Sequence, residues 1–262
     1  MMIEIKKIVS AEVKSKLQND YIETLTIPID GYWQNVKISS SECYEIMYND
    51  KIAGHFCVDS RKTLIQFYVS KKYFIHAQEI FKYVITSDMV EKAAVSTKES
   101  EFMALCLDYQ KSISIDSYLF IDNKKVKYEL DNFRDVSFRL AKKGDIDSIK
   151  DKCDSAFEGY YEDLIGNDQL FVLNDGDNLL GIGEFRIIKT HGRKYGDIGM
   201  HVVEVYRRKG IGAYIITQLK EHCYGKNLIP MACCDVENIA SKKTLEKSGF
   251  ITNHRILYVN FN

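Results

Sequence analysis

The chain has 262 residues, 45% of them hydrophobic and 28% charged, enough apolar material for a packed core and a length that suits two ordinary domains. Only 2 prolines and 15 glycines exclude a collagen-like or proline-rich scaffold, and 36 Lys and Arg against 37 Asp and Glu leave a net charge of -1. That balance gives no global reason to expect nucleic acid or an anionic membrane as partner, although a local basic patch remains allowed.

The N-terminal stretch to Gln34 carries a helical pattern through Ile8, Val13, Leu17 and Tyr21. Two strand-like runs, Tyr44–Tyr48 and Ile52–Val58, flank Asn49-Asp50-Lys51 and predict a hairpin. Thr63–Val69 reads as a third strand. It feeds a helix over 75–86 with Ile80, Phe81, Val84 and Ile85 on one face, followed by a strand at Lys92–Ser96, a helix over 99–110 and a strand over 117–121. The polar segment Asp122–Asp135 is the expected linker. Val136–Leu140 then starts a strand, Gly144–Ile149 opens a helix, and two strand runs flank Asn174–Asn178 as a second hairpin signal. Ile198–Val203 is a strand leading to a helix over 210–223, and a strand, a helix and a last strand complete the chain. The same element order occurs twice, which predicts an internal duplication with domains 1–130 and 131–262.

No apolar run approaches the roughly 20 residues of a spanning helix, and the N-terminus lacks the apolar stretch of a secretory signal, so a cytoplasmic protein is expected. The 7 cysteines are odd in number, form no C-x-x-C pair and keep no zinc spacing; reduced, mostly buried thiols and no metal are expected, with Cys233-Cys234 as structural filler.

The segment that carries chemistry runs from Val202 to Ala213. A β-rich run turns through Arg207-Arg208-Lys209-Gly210-Ile211-Gly212 into an amphipathic helix. Gly210 and Gly212 carry no Cβ, so ligand oxygens can approach the backbone, and the first N–H groups of a helix have no internal partner. Taken alone, the segment reads equally as an anion cradle and as a solvated basic helix start. Downstream, Asn238-x-x-Ser241-x-x-x-Leu245-Glu246-Lys247-x-Gly249-Phe250 opens a short helix that ends at Gly-Phe.

Together, Arg207-x-x-Gly210-x-Gly212 and the Asn238–Phe250 segment resemble the acyl-CoA-binding motifs of the GNAT superfamily of N-acetyltransferases, over residues 136–262. The run Leu228–Cys234 is similar to that of a bacterial tandem subfamily with a degenerate N-terminal GNAT-like half, which often carries a Trp near Ala232. The resemblance implies an α/β fold, a mixed sheet flanked by helices in each of two tandem GNAT-like domains. It implies acetyl-CoA as cofactor. Met200, Val202 and Val203 would border the pantetheine arm, the backbone N–H groups of Arg208, Lys209, Gly210, Ile211, Gly212 and Ala213 would hold the pyrophosphate with Arg207 adding positive charge, Asn238 would bond the pantetheine, and Ser241 and Lys242 would lie nearby.

It also implies transfer of an acetyl group to a primary amine of a small molecule, with a homodimer left open. Asp197 is the expected base, because Asp197-Ile198-Gly199 resembles the Glu-Ile segment of histone-type members, with Glu184 and Glu204 in reserve and His201 read as a packing or solvent-facing residue. Many members place an acidic Tyr where this chain has Leu245, so a CoA-binding sensor without turnover stays open, as does a tandem-GNAT aminoacyl or acyl transferase. In the N-terminal half, Val69–Ala77 occupies the place of the phosphate loop without a glycine, and Lys98-Glu99 stands where the other half has Glu237-Asn238. That half is expected to be a degenerate copy without cofactor.

Overall fold

The computed structural model describes residues 2–130, 133, 135–153, 157–190 and 192–261, and the chain divides into two units. The first comprises residues up to Tyr118 together with those from His254 onward; the second is Leu119–Asn253. The expected division at 130/131 thus differs from the observed one. The last strand returns to the first unit because its backbone pairs there with the strand at Lys92–Ser96.

The first unit opens with a strand, β1 (Ile3–Lys7), where a helix was expected; Ile3 and Ile5 alternate with charged residues and pack on the core. Helix α1 (Ala11–Ile22) follows, capped at Ser10. Strands β2 (Glu42–Tyr48) and β3 (Lys51–Val58) join through Asn49 and Asp50, both at positive φ, the two-residue turn whose twist suits a hairpin. Strand β4 (Thr63–Val69), helix α2 (Ala77–Ile85), strand β5 (Lys92–Ser96), helix α3 (Ser100–Tyr109) and strand β6 (Ser112–Asp122) complete the series. The order within the sheet is β1-β2-β3-β4-β5, extended by the last strand of the chain, β12 (Phe250–Asn260), antiparallel to β5.

Ile80, Phe81, Val84 and Ile85 of α2 are all buried, together with Phe56, Phe67 and Phe102, each worth roughly 1.5–3 kcal/mol when withdrawn from water. Because neighbours on a strand face opposite ways, His55 and Tyr68 lie on the other face, where their rings meet Tyr21 of α1. One cysteine expectation is corrected: Cys43 and Cys57, directly opposite on β2 and β3, form a disulfide, whereas Cys106, Cys153, Cys223, Cys233 and Cys234 remain thiols.

The second unit repeats the plan with β7 (Val136–Leu140), α4 (Ile146–Lys152), α5 (Tyr160–Gly166), β8 (Leu170–Asp175), β9 (Asn178–Thr190), β10 (Arg193–Val202), α6 (Ile211–Gly225), β11 (Ile229–Asp235) and α7 (Ile239–Lys247). Its sheet order is β11-β10-β9-β8-β7, with β10 and β11 parallel and the others antiparallel. Leu170, Val172 and Ile182 pack with Ile149 of α4 and Tyr161 and Leu164 of α5. Residues of β9 that alternate with these face α6: a Cβ added at Gly183 would meet Ile215 and Leu219.

The expected linker is not loose. The N–H groups of Asn123 and Lys124 both donate to the Gly249 carbonyl, and Lys220 of α6, 1% exposed, donates to the carbonyls of Lys124 and Ser248 and pairs with Asp122 at 2.7 Å. Residues 122–128 are therefore a strap across α6 and α7.

Among the described residues no helix is long and apolar enough to cross a membrane, and no group of three or more His, Cys, Asp or Glu could hold a metal ion.

Candidate active site

Parallel strands β10 and β11 pair at Tyr195/Ile229, Gly196/Pro230 and Asp197/Met231, and among the described residues at no later position, although β10 runs on to Val202 and β11 to Asp235. The two strands fork after Asp197. Beyond the fork the β10 edge has no strand beside it, so its backbone can pair with an extended, amide-bearing chain. The first unit repeats this fork, since among the described residues β4 and β5 pair only at Thr63/Lys92 and Leu64/Ala93.

A cleft of about 690 Å³ opens at the second unit's fork, within the size range of small-molecule sites. Met200, His201 and Val202 of β10 line one side; Arg207, Arg208 and the start of α6 at Gly210, Ile211, Gly212 and Ala213 line the second; Asn238, Ala240, Ser241, Thr244 and Lys247 of α7 line the third. No side chain caps α6, and its first backbone bond runs from Tyr214 N–H to the Gly210 carbonyl, which leaves the N–H groups of Ile211, Gly212 and Ala213 for the cleft. Gly210 sits at φ 85, a conformation glycine adopts without steric cost. A Cβ at Gly212 would project among Thr244, Val202 and Met200, at 3.3, 3.5 and 3.7 Å. The loop therefore presents bare backbone, positive helix-end dipole and arginine charge together, the requirements of a pyrophosphate cradle.

Three of the expected cofactor contacts do not line the cleft. Val203 is buried in the core and donates its N–H to the Leu180 carbonyl. Lys209 places its ammonium 5.3 Å from the Tyr206 ring centroid, and Lys242 lies on α7 outside the lining. Asn238 lines the cleft but spends its side-chain oxygen on capping α7, accepting from Ser241 N–H at 3.0 Å. His201, Ala240, Thr244 and Lys247 line it without having been expected to. For Thr244 and Lys247 the available signal was the three-residue step from Asn238 and Ser241, which brings successive residues to one face of a helix.

The two expected catalytic carboxylates come together on the opposite face of the sheet, at the fork. Asp197 stands opposite Arg186, and Glu184 opposite Gly199, in the β9–β10 register. Arg186 bonds Glu184 at 2.7 Å and lies 3.8 Å from Asp197. Tyr160 of α5 donates to Glu184 at 2.6 Å and also accepts from Arg186. Burial works against the Arg186 charge, but Glu184, Tyr160 and Asp197 outweigh it and raise its pKa. Burial, reinforced by the Glu184 charge, raises that of Tyr160. Glu184 keeps 20% of its side chain accessible against 7% for Asp197.

Leu245, where the resemblance implied an acidic Tyr, is buried. Tyr258 belongs to the first unit, opposite Ala94. Burial pushes the Cys234 thiol up to about 11, so it stays protonated near neutrality. In the first unit, the segment after β4 is a 3-10 turn, Lys71–His76, rather than a glycine-bearing helix start. Glu99 there is buried and accepts from Tyr21 and from Ser96 N–H.

A family profile described as Acetyltransferase (GNAT) domain matches residues 10–123, and one described as Acetyltransferase (GNAT) family matches residues 137–250. An acetyltransferase from the GNAT family of Colwellia psychrerythraea is similar at 25% identity and a TM-score of 0.88, covering 99% of this chain and 100% of that one. A GCN5-related N-acetyltransferase from Sphaerobacter thermophilus shares the fold at 11% identity and a TM-score of 0.59, over 98% of this chain and 94% of that one. A tandem GNAT protein from the clavulanic acid biosynthesis pathway does so at 12% identity and 0.57, over 98% and 97%. No curated protein matches the sequence.

Proposed function

The chain belongs to the GNAT family of acetyltransferases, with two tandem GNAT domains, and from that premise we propose that its second unit uses acetyl-CoA to acetylate a primary amine of a small molecule. The observation that carries this reading is the β10–β11 fork opening beside the uncapped start of α6. Acetyl-CoA supplies the activated acyl group as a thioester. The N–H groups of Ile211, Gly212 and Ala213, with Arg207 and Arg208, hold its pyrophosphate, and the free edge of β10 aligns its pantetheine arm.

An alkylammonium loses its proton only near pH 10, so a base or a water relay is needed to make the amine nucleophilic. Glu184 takes that proton through water: it is the more accessible carboxylate at the fork, and Tyr160 and Arg186 fix its orientation. Asp197 holds Arg186 from the other side. The leaving thiol, with a free pKa of about 8.5, departs without a dedicated acid, in keeping with Leu245 at the family's Tyr position.

The test is release of free thiol from acetyl-CoA with a panel of aminoglycosides, polyamines and peptide N-termini. Turnover on at least one small amine is the expected result. Tight CoA binding with no thiol release on any of them would overturn the reading in favour of a sensor, which the buried Leu245 already suits.

A further inference from the structure

Strands β9 and β10 carry Gly181, Gly183, Gly196 and Gly199. Glycine weakens a strand interior, because it packs nothing and loses more backbone freedom on folding than any other residue, so each of these positions calls for a reason. Close packing supplies it for the first three. A Cβ at Gly181 would lie 2.6 Å from the His201 carbonyl oxygen, one at Gly183 would lie 3.0 Å from Ile215 and Leu219 of α6, and one at Gly196 would lie 2.4 Å from the Cys223 sulfur. Gly199 has no such reason. Its φ is not in the left-handed region, and among the described residues a Cβ there would meet Glu184 alone, at 3.8 Å from its Cβ and 4.0 Å from its Oε2, which is ordinary van der Waals contact.

The place of Gly199 in the fork gives it one. It stands directly opposite Glu184 and two residues past Asp197, the last residue of β10 to pair with β11. Its bare, partly exposed backbone therefore borders both the carboxylate face and the edge of β10 that has no strand beside it. On that face two carboxylates, Glu184 and Asp197, surround one guanidinium, Arg186, while burial keeps Tyr160 protonated. The excess of one negative charge suits one ammonium.

Granting the acetyl-transfer reading above, we infer that Gly199 is the specificity-determining residue of the acceptor site, and that the space left by its missing side chain receives the CH2–NH3+ end of an unbranched primary amine. The methylene lies between the Gly199 backbone and the Glu184 side chain, and the nitrogen faces both the Glu184 carboxylate and the free edge of β10. A methyl branch on that carbon and a methyl on residue 199 compete for the same space.

Thiol release from acetyl-CoA tests this with putrescine, whose nitrogens sit on CH2 groups, and with its analogue bearing a methyl on each nitrogen-bearing carbon. The wild type should favour putrescine in kcat/KM by roughly 10-fold to 200-fold, the worth of one methyl in a fitted pocket. Gly199→Ala should lose a similar factor on putrescine, with CoA affinity by calorimetry unchanged and a melting temperature no lower than that of the wild type. Wild-type turnover in Gly199→Ala overturns the assignment. So does a fall in its CoA affinity or melting temperature, which would mean that the cofactor or the packing keeps the position bare. A wild type that takes any branched amine, such as the N-terminus of an alanine peptide, as readily as an unbranched one overturns it too, and leaves acetyl transfer standing. A wild type that binds CoA but releases no thiol with any amine defeats the acetyl-transfer reading, and the acceptor site with it.

Discussion

Replacing Glu99 with glutamine should remove a pH-dependent loss of stability from the first unit. The Glu99 carboxyl is 3% exposed; burial pushes its pKa up to about 7, although bonds from Tyr21 and from Ser96 N–H act in the opposite direction. The folded state therefore keeps the proton to about pH 7, whereas the unfolded chain releases it near 4.5. The stability linked to that proton is fully present below pH 4.5 and is lost as pH rises toward 7, a change of about 3 kcal/mol. His55, 2% exposed on the same face, works the other way. Burial lowers its pKa from 6.5 to about 4, against the raising effect of Asp20, so its contribution is full above pH 6.5 and is lost as pH falls toward 4, again by about 3 kcal/mol. In the wild type the two slopes oppose each other between pH 4.5 and 6.5.

Glu99→Gln removes one of them and exposes the other. Urea unfolding can be followed through Trp33, the single tryptophan, which is buried in the first unit. The stability of the wild type minus that of the variant should fall by about 3 kcal/mol from pH 4.5 to 7, and the variant itself should gain stability over the His55 range. A difference that stays constant across that range would refute the reasoning, because it would mean that the two donors to Glu99 outweigh its burial and keep it ionised throughout.

At the fork, Glu184→Gln should lower kcat by roughly 100-fold to 10,000-fold with CoA affinity unchanged, measured by thiol release. Asp197→Asn should cost less activity; the reverse order would exchange their roles. Gly212→Val should weaken CoA binding by roughly 100-fold, since its side chain would enter the space between Met200, Val202 and Thr244, while the melting temperature stays within a few degrees of the wild type. Asn238→Ala should cost about 1 kcal/mol of stability by uncapping α7, read by denaturant unfolding.

What was legible in the sequence is what local chemistry determines. Asn49-Asp50 between strand runs gave the hairpin, the spacing of Ile80, Phe81, Val84 and Ile85 gave the buried face of α2, and Gly210 and Gly212 after a basic run gave the bare helix start. Long-range pairing was not legible. Cys43 and Cys57 are 14 residues apart in sequence, and only the β2–β3 register sets them opposite each other. Similarly, Glu184, Arg186 and Asp197 look like three separate charges until the β9–β10 pairing sets Arg186 against Asp197. Ile3 and Ile5 alternate correctly for β1, but that strand exists only because β2 lies beside it.

The strap is the hardest case, because its polar sequence suits a linker and its anchors are backbone carbonyls, glycines and one lysine of α6. Lys220 decides whether that anchoring matters energetically. Its ammonium meets the Lys124 and Ser248 carbonyls and Asp122, and Tyr224 donates to Asp122 at 2.7 Å. Lys220→Met would leave a partly buried carboxylate and two carbonyls without their donor, a loss of about 3–5 kcal/mol. Adding Asp122→Asn removes the stranded charge, so the double variant should recover roughly 1–2 kcal/mol relative to Lys220→Met alone. A double-mutant cycle by urea unfolding reads the coupling directly. Strict additivity would mean that Lys220 acts through the two carbonyls alone, and that Asp122 contributes nothing to holding the strap against α6.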